Sequence, residues 1–416
     1  MINQKILSAF EKQYKEEYYT AKELQYGNKV GLFLSPFEYK SLLEYKEEAA
    51  LSSHDFLCLL PLKPFNYKCL YYCTGLDINS LLNEYLYLAD ESNQILSRFS
   101  STFLTSRIYS EIEGSLNVEN VPTTRRRLKE LLEEGAEPKD QNDIIIKNMK
   151  DGIDFVSSLP EFNKENLFKL YSLLSHDCLE KDDELHPGDY YRYDSVEISR
   201  YHGCPHNKID ELMDSLFNYV NKTLKSEDIK ELILLPHIAH YYIIYIHPYF
   251  DYNGRTARMV SYWIYLLSGI NIFPPIISEA INQTKSQYYK AIELTRDSHN
   301  DLTYFLKYLL NVSIDYILCY QDLEHFESMS KNKGYVLTET ELSYLKKMLI
   351  SYDGVFNYQD FLKQINVSMS KQGALKTLNH FVQYGIIKEV ETDSRSKIFD
   401  FNKDNIPYSL KTIGYK

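Results

Sequence analysis

The sequence predicts a mainly α protein, on three observations. Its middle portion is patterned as helix almost throughout. Short strand-like runs are mixed with helix-like stretches in residues 1–100. The segment past about residue 321 reads as three helices followed by two short strands.

Taken in order, residues 1–100 mix charge-rich helical stretches such as FEKQYKEEYYTAKELQYG with the strand-like runs VGLFLSP and FLCLLPLKPFNYKCLYY. They carry no catalytic motif and are expected to form an N-terminal α+β accessory region. Residues 101–320 are expected to form the helical core. Within residues 335–416, LTETELSYLKKMLISYDGVFNYQDFLKQINVSMSKQGALKTLNHFVQYGIIKEVETDSRSKIFDF gives three helix patterns and a strand pair around DSRS. That is the outline of a winged helix-turn-helix.

Composition narrows the class of protein. A chain of 416 residues suits about two or three domains with a sizeable core. No apolar run of about 18 residues reads as a membrane span, and the N-terminus lacks a secretory apolar region, so the expectation is a cytoplasmic protein without a membrane partner. Six scattered cysteines without CxxC spacing fit reduced thiols. A net charge of −12 argues against a nucleic-acid-coating protein. The 38 tyrosines follow no period and are read as packing residues.

The densest chemistry lies at residues 247–258, HPYFDYNGRTAR, between the apolar segments 232–246 and 259–267. This reads as a loop running into a buried helix that starts near Asn253, and helix starts bind anions. Arg255 and Arg258 then leave one face of the first turn, as two forks suited to a polyphosphate. Gly254 permits positive φ and close backbone approach, and Asn253 tolerates the same geometry while adding an amide donor. Asp251 is a hard oxygen ligand for Mg²⁺, which takes one or two carboxylates plus substrate phosphates. His247, with an ordinary pKa of about 6.5, suits a proton acceptor. Standing alone, a histidine before a proline would be read as a core residue. The combination at fixed offsets carries the functional reading. His237, His240 and His247 could be written as a zinc set, but one helical stripe without a Cys or carboxylate does not complete a tetrahedron, so the first two are read as core.

The segment resembles the signature of the Fic (filamentation induced by cyclic AMP) family, HPFx(D/E)GNGRxxR, with Tyr249 for the phenylalanine and Tyr252 for the first glycine. Further similarity runs over residues 103–314. YSEIEG at residues 109–114 resembles the inhibitory helix of class II members, (S/T)xxxE(G/N), near residues 106–116, with Glu113 as inhibitory glutamate and Tyr109 in the Ser/Thr place. PGDYYRYDSVEI resembles the approach to a β-hairpin flap and CPHNKIDELMDSL the helix after it. SQYYKAIEL, with Tyr288 and Tyr289, resembles a helix that closes the nucleotide pocket.

The resemblance implies a Fic-type helical bundle with a β-hairpin flap, and a protein adenylyltransferase that moves AMP from ATP to a hydroxyl of a target protein. It casts His247 as general base and Asp251 as Mg²⁺ ligand. Asn253, Gly254 and Arg255 would hold the α- and β-phosphates, and Arg258 the γ-phosphate. A target strand would dock on the flap at residues 194–204. Glu113, paired with Arg258, would restrain the reaction, or orient a water that removes AMP. Homodimers occur in the family. Two rival readings stand beside this one. Tyr252 in the phosphate loop raises a different nucleotide donor. The winged helix raises a DNA-binding regulator, which residues 370–384 disfavour because they offer only Lys371, Lys376 and His380, without arginine.

Overall fold

The computed structural model describes residues 3–26, 31–96, 101–198, 201–270, 277–350, 354–365, 367–391 and 396–402. Helices dominate it, and the strands form three separate two-stranded hairpins among the described residues. The chain divides into two compact units, Met1–Tyr85 with Tyr109–Val312, and Leu86–Ile108 with Ser313–Lys416. No described helix is long and apolar enough to cross a membrane.

In the first unit the chain opens with helices Gln4–Lys15, Ala21–Tyr26 and Pro36–Leu51. Ser35 and Glu38 close a capping box, with Pro36 in the first turn. This corrects the strand-like reading of VGLFLSP: residues 31–35 are irregular because Ser35 and Pro36 commit the chain to start a helix, and Val30 lies outside the described residues. The second run does form strands, Leu57–Leu59 and Tyr71–Cys73, paired antiparallel with Leu57 opposite Cys73. Asp301, fully buried, holds this region to the core. It takes Lys46 Nζ at 2.7 Å, the Tyr18 hydroxyl and Thr303 Oγ1. Removing one partner of such a buried pair typically costs about 3–5 kcal/mol.

Five helices frame the centre: Gln141–Ser157, Lys164–Ser175, Ile209–Thr223, Ile229–Ile246 and Asn253–Leu267. Side-chain caps start three of them, with Asp140 accepting from Asp143 N, Asn163 from Asn166 N and Asp228 from Lys230 N. Ile229–Ile246 is apolar on all sides and almost wholly buried, which makes it the central post. His237 and His240 lie in that core, with His240 Nε2 2.9 Å from the Tyr288 hydroxyl. Trp263 packs edge-on to Phe155 and Phe162 and donates its indole N–H to the Pro160 carbonyl at 3.0 Å. The motif helix is therefore rigidly seated.

In the second unit, helices Glu339–Ile350, Tyr358–Ile365 and Lys371–Tyr384 precede the antiparallel strands Ile387–Val390 and Ile398–Phe401. Phe356 adds one rung opposite Phe399. Ser370 caps the third helix and Gly385 ends it at φ 78°. The strand turn expected at DSRS falls mostly outside the described residues, as do residues 403–416.

Candidate functional site

His247 ends the central helix in the left-handed region, φ 56°, with its N–H on the Ile243 carbonyl. Arg192, 2% exposed, fixes the turn from outside. Its Nε donates to His247 O at 2.7 Å and its backbone N–H to Pro248 O at 2.9 Å; Nη1 and Nη2 reach the Asp194 and Cys204 carbonyls. One guanidinium thus ties the motif loop to both sides of the flap hairpin, Glu197–Ile198 with Tyr201–His202, whose tip residues 199 and 200 lie outside the described residues. Gly203 makes the approach possible, since a Cβ there would meet Val196 and Arg192 at under 3.0 Å. The sequence reading missed Arg192, which showed only as a lone arginine in PGDYYRYDSVEI.

The His247 Nδ1 makes no hydrogen bond of good geometry. Burial pulls its pKa down to about 4, with the nearby Ile244 carbonyl and Glu119 opposing only in part and Arg192 adding to the fall. The imidazole is therefore neutral and able to accept a proton at pH 7.

Asn253 begins the motif helix as expected, but its side chain faces the loop and not a ligand: Oδ1 accepts from Tyr249 N at 3.0 Å and Nδ2 donates to Tyr249 O at 2.8 Å. It clamps the loop. Positive φ likewise falls on Tyr252, at 65°, and not on Gly254 or Asn253. Gly254 serves another purpose. A Cβ there would lie 2.6 Å from the Glu119 carboxylate, so the missing side chain lets that carboxylate sit against the helix start.

Arg258 is 2% exposed and engaged through Nε and Nη2. Its Nη2 donates to Glu119 Oε1 at 2.8 Å and to the Ser115 carbonyl at 3.2 Å, and Nε donates to Ser115 Oγ at 3.1 Å. Burial pushes the Glu119 carboxyl upward, but Arg258, Arg255 and Lys285 outweigh it and hold it below its ordinary value, hence ionised. Glu113, the expected partner, lies instead 3.8 Å from Arg125. Helical geometry gives the reason. Helix Ser101–Val118 turns Ser115 and the following Glu119, four apart, toward Arg258, whereas Glu113 stands two residues before Ser115 and faces elsewhere. Asn120, at φ 59° with its Oδ1 on Lys285 Nζ at 2.8 Å, ends the helix just past Glu119. The sequence carried the signal: Ser115, Glu119 and Asn120 fit (S/T)xxxE(G/N) in full, while Tyr109 to Gly114 fit it only in part. Gly114 is not a cap but an interior helix residue, where a Cβ would lie 2.5 Å from the Glu279 backbone nitrogen.

Arg255 contrasts with Arg258. It is buried, yet Nε and Nη1 have no acceptor among the described residues, and Nη2 comes only within 3.8 Å of Asp251. The Asp251 side chain is 54% exposed and accepts from Tyr252 N at 2.5 Å. A single exposed carboxylate beside an anion site fits a Mg²⁺ that shares its coordination with phosphates and water. The described residues contain no cluster of three or more metal-type ligands. Of the two expected pocket tyrosines, Tyr288 is buried with its hydroxyl on His240, and Tyr289 is 44% exposed.

The helical fold thus sets a buried imidazole at the end of one helix beside two arginines in the first turns of the next. Residues 161–265 match the Fic/DOC family model, so this stretch of the chain is similar to a Fic domain. It is 32% identical over 126 residues to a protein adenylyltransferase Fic of Nematostella vectensis, covering 30% of this chain and 27% of the relative. It is 32% identical over 155 residues to protein adenylyltransferase fic-1 of Caenorhabditis elegans, covering 33% and 28%. The chain thus matches under a third of either relative's length. A Fic family protein from Desulfovibrio desulfuricans has a similar fold, with TM-score 0.51 and 16% identity over 79% of this chain and 97% of that one.

Proposed function

We propose that the chain transfers AMP from ATP to a hydroxyl side chain of another protein. The carrying observation is the contrast within one loop and helix: a neutral His247 whose Nδ1 has no well-formed hydrogen bond, an Arg255 whose Nε and Nη1 are uncommitted, and an Arg258 held by Glu119 and Ser115. The names of the relatives favour the same reaction. In the reaction, the target's hydroxyl oxygen attacks the α-phosphorus and pyrophosphate leaves. His247 takes the hydroxyl proton at the imidazole. Arg255 and the N-terminus of the motif helix hold phosphate oxygens, and catalysis is mainly positioning and charge stabilisation. Asp251 would hold Mg²⁺, which neutralises phosphate charge when bound. An extended target segment would add to the flap hairpin by main-chain pairing.

Regulation follows from Glu119. Its carboxylate lies against Gly254 and on Arg258, where a terminal phosphate would otherwise bind, so nucleotide and carboxylate compete for one guanidinium. The C-terminal elements follow the order of a winged helix, and we read them as a packing module. His380, on the candidate recognition helix, is held by Glu341 at 2.7 Å and is not free to read a base.

The test is intact-mass spectrometry after incubation with Mg²⁺ and ATP. Glu119→Gly is expected to gain AMP mass, while Glu119→Gly with His247→Ala and the native chain gain little. Equal incorporation by the native chain and Glu119→Gly would refute the restraint. Incorporation that survives His247→Ala would refute the base.

A further inference from the structure

Tyr252 enters the left-handed region, φ 65° and ψ 6°, where a side chain is strained and glycine is not. Strain of this kind persists only where the surroundings over-determine the conformation. The Tyr252 ring is 3% exposed and lies over Arg255, with Cζ 3.4 Å from the ring centroid. Its hydroxyl meets the Cys178 thiol, which anchors the far end of the ring. Beneath it, the buried Arg255 has no acceptor for Nε or Nη1 among the described residues. The nearest carboxylate, Asp251, already takes the Tyr252 N–H. A buried guanidinium is ordinarily fixed by hydrogen-bond acceptors, and here a π face does that work.

We propose that Tyr252 is a positioning residue whose ring stacks on Arg255 and holds the guanidinium in place without occupying its N–H groups, leaving them for the phosphate oxygens of the nucleotide. The proposal rests on the ATP reading above. Glycine at this position would relax the backbone but release Arg255 to swing toward Asp251 or Glu119. A leucine would keep bulk and lose the π face.

The experiment uses the full chain carrying Glu119→Gly, so that the internal carboxylate does not limit binding. To it are added Tyr252→Phe, Tyr252→Leu and Tyr252→Gly, each with and without Arg255→Ala. Two quantities are read: calorimetric binding of inorganic tripolyphosphate, and KM and kcat for ATP in AMP incorporation. Phe is expected to stay within about twofold of Tyr. Leu and Gly should weaken tripolyphosphate roughly tenfold and raise KM for ATP in parallel, with a smaller change in kcat. Arg255→Ala should erase the differences among them. Unchanged binding in Tyr252→Gly, or a loss that persists with Arg255→Ala, overturns the proposal. If the parent binds tripolyphosphate but adds no AMP, the transferase reading fails and the calorimetric series still decides the role of Tyr252. If the parent binds no tripolyphosphate, the proposal is overturned as well.

Discussion

At the scale of single residues, the site is organised by which polar groups are left without partners. Arg255 and Arg258 are three apart on one helix, yet Arg258 has Glu119 and Ser115 while Arg255 has a ring above it and open N–H groups. The histidines differ as well: His240 Nε2 meets Tyr288, whereas Nδ1 of the desolvated His247 has no well-formed hydrogen bond. Because burial draws His247 down to about 4, the base is already deprotonated well below neutrality. For Glu119→Gly, kcat/KM for AMP incorporation should therefore be flat from pH 5.5 to 8 on its basic requirement, since kcat/KM reports the free enzyme. A histidine of ordinary pKa would instead inflect near about 6.5. An inflection there, absent at the same position in the binding of ATP, would refute the buried-base account.

At the scale of elements, the helix Ser101–Val118 sets the position of the restraining carboxylate, and its packing depends on Gly114. A methyl at Gly114 would press into the backbone of Ser278 and Glu279 at 2.5–2.6 Å, which cannot move as a flexible side chain does. Helix propensity alone would favour alanine by about 1 kcal/mol. Overpacking against backbone costs about 1–3 kcal/mol and should win. Gly114→Ala is thus expected to lower the midpoint of urea unfolding and also to raise AMP incorporation, because a helix pushed outward carries Glu119 away from Arg258. A more stable and equally restrained variant would contradict this. What was legible in the sequence was local. The motif helix starts at Asn253 because the apolar segments and the loop residues between them are contiguous. The register of the restraining helix was legible only by choosing between two adjacent Glu patterns six residues apart, a partial match at 109–114 and a full one at 115–120, and contact with Arg258 falls on the full match. Arg192 was invisible for a related reason: its acceptors are backbone carbonyls, which no side-chain motif records.

At the scale of the whole molecule, burying charge-capable groups along one central helix makes stability depend on pH in a definite direction. His237 and His247 are drawn down to about 4, and His240 falls well below its ordinary value, chiefly through burial. A histidine with a folded pKa below its unfolded value of about 6.5 favours the folded state fully above pH 6.5, and that contribution is lost as pH falls toward 4. For the wholly buried His237 this is roughly 3 kcal/mol, at about 1.4 kcal/mol for each pH unit. Glu111 works in the opposite sense. Burial raises it to about 7, against the hydrogen bonds from Ser278 and the charge of Arg258, so its contribution is present below its ordinary value and is lost as pH rises through 7. One glutamate thus stands against three histidines, and net stability should fall on acidification from pH 6.5 to 4. Glu119 and Asp143, held below their ordinary values, add their losses only at lower pH. The urea midpoint should accordingly drop between pH 6.5 and 4.5, with Glu111 offsetting part of the fall and before Glu119 and Asp143 titrate. His237→Phe, which keeps an aromatic ring in the core and removes the titrating nitrogen whose Nδ1 has no partner, should make that drop shallower. A midpoint that is level between pH 7 and 4.5, or a slope unchanged by His237→Phe, would show that these imidazoles are hydrated in the folded chain and that the central helix is not the acid-sensitive element.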